Sequence, residues 1–267
     1  MQEKTDNSDA VISTRHKRLS PEEFDNSKPR LGRRESEPHS DEINYLYDVL
    51  TTNFPDDRAM WDLHHYFTVD DLKIDLQFDV SYFKDMHIPE RLSSYKAEKY
   101  NGRVPNMAIN VLSKSTWKTD IGENLDYCRR LQIPLYIVFP TYHIATKLYK
   151  PPFVRAYILQ PDGEYHIEEL RQITIDGEKR KSEAVIDISQ IVPFRLGLQK
   201  RNVSHESNKP LFRVILLHPD KFQVYLTKTE KAQEQAEKAL HEKNEAEKKA
   251  QLLEKKIKKL KEKFKKK

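Results

Sequence analysis

The stretch RVPNMAINVLSKSTWKTDIGENLDYCRRLQIPLYIVF, residues 103–139, decides the fold. An apolar run at 107–112 and a second at 133–139 enclose a polar loop and a helical segment at 120–131. Two apolar runs joined by a helix through short loops are typical of parallel strands with a helical crossover. The stretch therefore predicts a mixed sheet covered by a helix.

Residues on both sides of this stretch add further strands and a helix. Downstream, the turn Pro161-Asp162-Gly163 predicts a hairpin, because Asp-Gly supplies the positive φ of a tight turn. With a helix predicted from Ser40 and strands up to Tyr225, this part of the chain is an α+β or α/β domain. Upstream, apolar residues that alternate with polar ones predict a half-buried strand: Leu72, Ile74, Leu76, Phe78 and Val80 alternate with Lys73, Asp75, Gln77, Asp79 and Ser81.

The N-terminal segment has a different composition. Residues 1–39 contain 8 acidic and 8 basic residues but only seven apolar ones. So few apolar side chains bury too little surface to offset the conformational entropy lost on ordering. The sequence predicts a disordered N-terminal arm over 1–39 and a folded domain over 40–226.

Residues 227–267 predict a basic coiled-coil helix. Residues at alternating spacings of four and three form a heptad seam that would join two protomers, although alanine in its first half buries little area per layer. A single charged helix without a partner is the alternative. The seam consists of Ala232, Ala236, Ala239, Lys243, Ala246, Ala250, Leu253, Ile257, Leu260 and Phe264.

Positive charge is concentrated in the same segment. The chain has a formal net charge of +5, of which 15 Lys and 8 Glu in residues 228–267 contribute +7, leaving −2 for the rest. Within 255–267, 9 Lys meet 1 Glu. Such a run suits contact with phosphates, acidic lipid or an acidic partner, while the alternative is a solvated helix end.

Composition excludes several classes of protein. One cysteine, Cys128, excludes a disulfide-stapled scaffold, and 6 Gly exclude a collagen-like chain. Unbroken apolar runs are far shorter than the roughly 20 residues that a membrane-spanning helix needs. The first residues, MQEKTDNSDA, contain no apolar stretch of a secretory signal, so we expect a cytoplasmic protein without a membrane partner. Glycine-rich phosphate loops, paired cysteines, His-Glu-x-x-His and Gly-x-Ser-x-Gly are absent from the sequence.

The 103–139 stretch resembles the Uma-type (Uma-two) restriction endonuclease family of the PD-(D/E)XK nuclease superfamily. The likeness lies in the order of a proline, a polar residue and an apolar strand, followed by Ser-x-Ser-Thr, Asp-x-Gly-Glu and Pro-x-Tyr before the second strand. The segment from Pro89 to Tyr95 and the helical tail extend it over residues 41–265. The resemblance implies an α+β, restriction-endonuclease-like mixed sheet with flanking helices.

The resemblance also implies where a metal site would lie. The family holds Mg²⁺ with an aspartate and a glutamate on neighbouring strands, and a lysine lies nearby. These residue types suit the chemistry, since Mg²⁺ prefers anionic oxygens and the phosphate needs positive charge. The three positions fall on Asp79, Asn110 and Asn124, with Asp79 and Asn110 as the metal ligands. Because two of the three are amides, we expect Mg²⁺ to bind weakly or not at all.

Nearby charged side chains could compensate for the two amides at the metal site. For each of them, the alternative is an ordinary charged residue on the surface. His64 and His65 are adjacent, so a strand directs them to opposite faces and they cannot share one metal ion. The candidates for compensation are Asp75 on the strand of Asp79, Glu42 in the first helix, and Lys114 or Lys118 in the loop before Asp120.

Three functions remain open. The leading hypothesis is a pseudonuclease, an interaction module that keeps the nuclease fold and binds nucleic acid or protein. The second is an active Mg²⁺-dependent DNA endonuclease in which Asp79 works with recruited side chains. The third is a scaffold protein built on the C-terminal coiled coil, possessing no functional pocket.

Overall fold

The protein is described by a computed structural model that divides into two compact units. The first unit is Met1–Tyr225 and the second is Leu226–Lys267. Most of the predicted arm 1–39 lies outside the described residues. Described are residues 12–13, 36–89, 91–142, 149–203 and 208–265.

In the first unit, the described residues form two β-sheets and several helices. The helices are α1 (Glu37–Asn53), α2 (Trp117–Ile121), α3 (Glu123–Arg130) and a 3-10 helix at Ala97–Tyr100. The large sheet contains β1 (Ile12–Ser13), β2 (Arg58–Val69), β3 (Leu72–Phe83), β4 (Tyr95–Lys96), β5 (Met107–Val111), β6 (Leu135–Phe139), β7 (Val154–Leu159) and β8 (Tyr165–Leu170). The small sheet contains β9 (Ile175–Asp176), β10 (Lys179–Arg180), β11 (Arg195–Arg201) and β12 (Leu211–Leu217).

The large sheet is mixed. Its strand order is β4-β2-β3-β5-β6-β7-β8, with β1 beside β3, and the small sheet runs β10-β9-β11-β12. Strands β5 and β6 are parallel, with Met107 opposite Leu135, and α2 and α3 lie between them in sequence. The hairpin β7-β8 turns at Gly163, whose φ is +83°. The structure confirms the predicted α+β class, the strand-helix-strand unit and the hairpin.

Two apolar cores lie on the two faces of the large sheet. The first core joins α1, through Leu46 and Leu50, to one sheet face and to residues of the small sheet such as Leu196. The second core covers the other face and includes Cys128 of α3 and Tyr95 of β4. With apolar layers on both sides, the central strands are buried throughout.

Three predicted elements have different bounds in the structure. Helix α1 begins at Glu37 rather than Ser40, with Pro38 in its first turn. The helix predicted over 120–131 begins at Trp117 and is interrupted at Gly122, where a Cβ atom would lie 2.9 Å from the Lys118 carbonyl oxygen. One of the strands expected before Tyr225 is reduced to a single bridge at Ile186.

Strand β3 departs most from its prediction. Ile74 through Phe83 are all buried, so the alternating polar residues from Asp75 onward are buried as well, and the strand is not half-buried. Pairing with β2 is interrupted at Asp79: on either side of it, Trp61 pairs with Val80 and Leu63 pairs with Phe78. Phe78 packs in the second core and Val80 in the first, so the alternation shifts at Asp79.

The second unit consists of one helix, α4 (Lys228–Lys265). Its start is capped: Glu230 Oε2 accepts hydrogen bonds from the Thr227 backbone N–H and hydroxyl at 2.8 Å each, and the Glu230 N–H donates to Thr227 Oγ1 at 3.2 Å. Seam residues up to Leu253 are exposed within the chain. Neither α4 nor any other helix among the described residues is apolar enough over a sufficient length to cross a membrane.

His65 is a buried histidine of the second core. Its Nδ1 lies 2.7 Å from the Leu63 carbonyl oxygen and its Nε2 lies 2.8 Å from Ser81 Oγ. Burial lowers the pKa of His65 from 6.5 to about 4. The folded protein therefore keeps this imidazole neutral at pH values where the unfolded chain already binds a proton.

We predict that His65 makes the protein less stable as the pH falls from about 6.5 to about 4. The unfolded state takes up the proton first, so the free energy of unfolding falls by roughly 3 kcal/mol over this window. Urea unfolding of the wild type and His65→Gln at pH 7 and pH 4 measures the effect: the stability advantage of the wild type should shrink. The control His166→Gln, at an exposed position of β8, should keep the wild-type slope; equal slopes in all three proteins contradict the prediction.

Candidate functional site

Asp79 and Asn110 meet where β3 and β5 separate. Pairing between these strands covers Tyr82↔Met107 to Val80↔Ile109 and ends there. At the next position, the Asp79 backbone N–H donates to Asn110 Oδ1 at 3.2 Å, and the Val111 N–H donates to Asp79 Oδ2 at 2.7 Å. Side chains thus replace ladder hydrogen bonds at this point and fix both residues.

Asp120 joins Asn110 to Asn124. Its Oδ1 accepts hydrogen bonds from Asn110 Nδ2 at 2.8 Å and from Asn124 Nδ2 at 3.0 Å. Tyr136 closes the arrangement, since its hydroxyl donates to the Asp120 backbone carbonyl at 2.8 Å and accepts from Asn110 Nδ2 at 3.1 Å. We call Asp79, Asn110, Asp120, Asn124 and Tyr136 the buried polar cluster.

His39 attaches α1 to this cluster. Its Nε2 lies 2.8 Å from the Val111 carbonyl oxygen and 3.4 Å from Asp79 Oδ2. A carbonyl oxygen can only accept, so Nε2 carries the proton in this contact. The first turn of α1 therefore contacts β5 and the cluster carboxylate together.

The structure brings the three candidate residues into one network. Asp79 and Asn110 are in direct contact, and Asn124 reaches them through Asp120. Asp79, Asn110, Asp120 and Asn124 are all 0% exposed. The cluster is consequently closed to solvent on every side.

Sequence reasoning missed Asp120 and His39. Asp120 lies four residues before Asn124, a spacing that places both on one helix face, but the prediction began the helix at Asp120 and made it a polar start. His39 lies four residues before the buried Ile43, which is the same signal, but it fell inside the predicted arm. In both cases the missed residue lies one helical turn before a residue that was predicted to face the core.

The other charged candidates are placed elsewhere. Glu42 is buried and accepts from Arg201 at 2.8 Å and Arg213 at 3.1 Å, and burial raises its pKa although both guanidinium groups oppose the shift. Asp75 Oδ1 lies 2.7 Å from His64 Nδ1. Lys114 and Lys118 are exposed, and Lys118 lies over the Trp117 ring, 5.6 Å from its centroid.

The geometry of the cluster does not fit Mg²⁺. Asn110 Oδ1 and Asp79 Oδ2, the oxygens proposed as ligands, each accept a backbone N–H, and the Asn110 amino group is directed at Asp120. Mg²⁺ requires several oxygens directed at one point and retains waters, which a closed cluster has no space for. Among the described residues, no group of three or more His, Cys, Asp or Glu side chains is placed to hold a metal ion.

Two further features describe the electrostatics of the cluster. Burial, followed by the charge of Asp120, raises the pKa of Tyr136 well above its usual range, so its hydroxyl remains a proton donor. Asn124 Oδ1 is buried and accepts no hydrogen bond from the protein in the described part of the chain. The Asp120 carboxylate fixes that orientation, because a flipped amide would place two oxygens against each other.

Comparison with solved structures gives a match of low similarity. A solved structure described as a "putative nuclease belonging to DUF820", from Anabaena variabilis, matches with a TM-score of 0.41 and 16% identity over 59% of this chain and 75% of that chain. No protein-family model and no curated protein matches the sequence. The identity is low, so the comparison assigns no activity to this chain.

We predict that Asp79→Ala and Asp120→Ala each lower the free energy of unfolding by about 2–4 kcal/mol. Each substitution leaves buried N–H groups without an acceptor, whereas removing a carboxylate from a metal cradle relieves repulsion and leaves stability equal or higher. Chemical denaturation measures the change, with Asp126→Ala at an exposed position of α3 as the control. An unchanged or raised stability in both variants contradicts a structural role.

Proposed function

We propose that this chain is a nuclease-fold protein that acts by binding and not by cutting, an interaction module of the pseudonuclease kind. The supporting observation is the closed network in which Asp120 accepts from Asn110 and Asn124. At the two positions where the family resemblance implies a glutamate and a lysine, amides satisfy a buried carboxylate. The side chains there stabilise the fold.

The chemistry of phosphodiester cutting supports the same conclusion. Metal-dependent hydrolysis requires an ion that reaches water and substrate together, and positive charge where the phosphate becomes more negative. Asp79 and Asp120 are inaccessible to a substrate, and both lysines of the neighbouring loop are exposed on the surface. Cutting would require the cluster to open and both amides to turn.

One observation favours the alternative of an active Mg²⁺-dependent endonuclease. The cluster contains two carboxylates, Asp79 and Asp120, which Asn110 joins, and two is the number of acidic ligands that the family resemblance implies. A conformation that releases their N–H donors would present both to a metal ion. Activity measurements with both carboxylates varied therefore separate the two proposals.

We predict no metal-dependent cleavage of supercoiled plasmid. Purified protein with Mg²⁺ or Mn²⁺ should leave the plasmid intact to the same degree as protein with EDTA. Nicking that requires metal and disappears in both Asp79→Asn and Asp120→Asn would instead establish the endonuclease. The isosteric variants keep the shape of each side chain, so a loss of nicking would not reflect a cavity.

The nucleic-acid backbone is the partner that the charge distribution favours. Residues 228–267 carry +7 whereas the rest of the chain carries −2, so contact with phosphates would be made by α4. Binding of this kind neutralises phosphates and releases counterions, and it weakens steeply with salt. The nuclease-like unit would then orient the nucleic acid that α4 binds.

We further propose that α4 pairs with α4 of a second copy. Its heptad seam is apolar except at Lys243 and is exposed within the chain up to Leu253. Alanine layers bury little area, so the pairing is weak until the leucine-rich end. A lysine on the seam opposes association because each copy brings a charge to the interface.

We predict that truncation after Tyr225 converts a dimer to a monomer in sedimentation analysis. Lys243→Leu should strengthen association because it adds an apolar layer to the seam. The matched control Lys248→Leu changes a lysine off the seam and should leave the association unchanged. An unchanged mass after truncation, or equal effects of the two leucine variants, contradicts the pairing.

A further inference from the structure

A cavity of about 620 Å³ lies at the edge of the large sheet, apart from the buried polar cluster. Its walls come from the end of β2, the start of β3, the 3-10 helix beside β4, and the end of α3. Binding sites for small molecules typically enclose about 300–1,000 Å³. The cavity therefore has room for a ligand of nucleotide size.

The cavity has more cationic than anionic lining residues. Lys73, Lys96 and Arg130 line it, with Glu98 as the one carboxylate among its lining residues. In the described part of the chain, neither Lys96 nor Arg130 forms an ion pair with an acidic side chain. Cations from three separate elements meet at this cavity, although the unit that contains it carries no positive excess. Such an arrangement favours an anion, and phosphate is one that both Arg and Lys bind well.

Part of the cavity wall is apolar. Phe67, Ile74 and Leu131 are buried residues of the second core that reach its wall, and the half-buried Tyr66 lines the cavity from the other face of β2. Ser94 adds a hydroxyl group. A ligand that fits both regions carries a phosphate at one end and a flat or apolar body at the other.

We propose that this cavity binds a nucleotide, with the phosphate at Lys96 and Arg130 and the base against the apolar wall. The source is a free nucleotide or the terminal nucleotide of a strand, since both present the same chemistry. The proposal is independent of whether the buried polar cluster cuts phosphodiesters.

Titration calorimetry of the full chain with ADP, inorganic phosphate, adenosine and a short single-stranded oligonucleotide tests the assignment. ADP should bind more tightly than phosphate or adenosine alone, because it fills both regions. Tighter binding of the oligonucleotide than ADP identifies a strand end as the source, and the reverse identifies a free nucleotide. Absence of heat with both ADP and the oligonucleotide at millimolar concentration overturns the proposal.

Three variants locate the binding. Lys96→Glu with Arg130→Glu should weaken ADP binding by more than about tenfold, while Lys99→Glu, on the 3-10 helix next to Lys96 but not among the lining residues, should change it by less than about twofold. Ser94→Phe fills the cavity and keeps every charge, so it should abolish binding without lowering the melting temperature. Undiminished affinity in Ser94→Phe would show that ADP binds the charged surface and would refute the cavity as the site.

Discussion

The carboxylate of Asp120 is the constraint on which the centre of the molecule depends. It comes from α2, yet it accepts from an amide on β5 and an amide on α3, so three elements converge on one oxygen atom. A buried carboxylate with no hydrogen bonds would be very costly, and here the cost is offset by donors held in place by the strands and helices around it.

Much of the architecture was predictable because it follows from hydrophobic periodicity. The strand-helix-strand unit at 103–139 and the hairpin at Gly163 were predicted correctly, since local turn chemistry and apolar runs determine both. Strand β11 was missed because its sequence RLGLQKR has only two apolar residues, separated by Gly197, whose close contact with Leu217 leaves no space for a side chain. Burial of the polar residues of β3 was also missed, because alternation does not reveal what covers the second face.

The convergence of Asp79, Asn110 and Asn124 was accessible through a family resemblance, while their chemical setting was not. Sequence alone could not show which atoms of each amide face a carboxylate, because that depends on Asp120 and on the separation of β3 from β5. Whether the family positions carry a function stays a proposal. The observed contacts join the three side chains in one buried hydrogen-bond network.

Helix α1 makes two separate sets of buried polar contacts within one turn. His39 contacts β5 beside Asp79, and Glu42, three residues later, accepts from Arg201 of β11 and Arg213 of β12. Displacing this helix would break both sets of polar contacts together and expose buried charges, so partial opening near Asp79 is costly. We therefore expect the Val111 amide hydrogen, which Asp79 accepts, to exchange slowly with solvent, because access to it requires both sets of contacts to break.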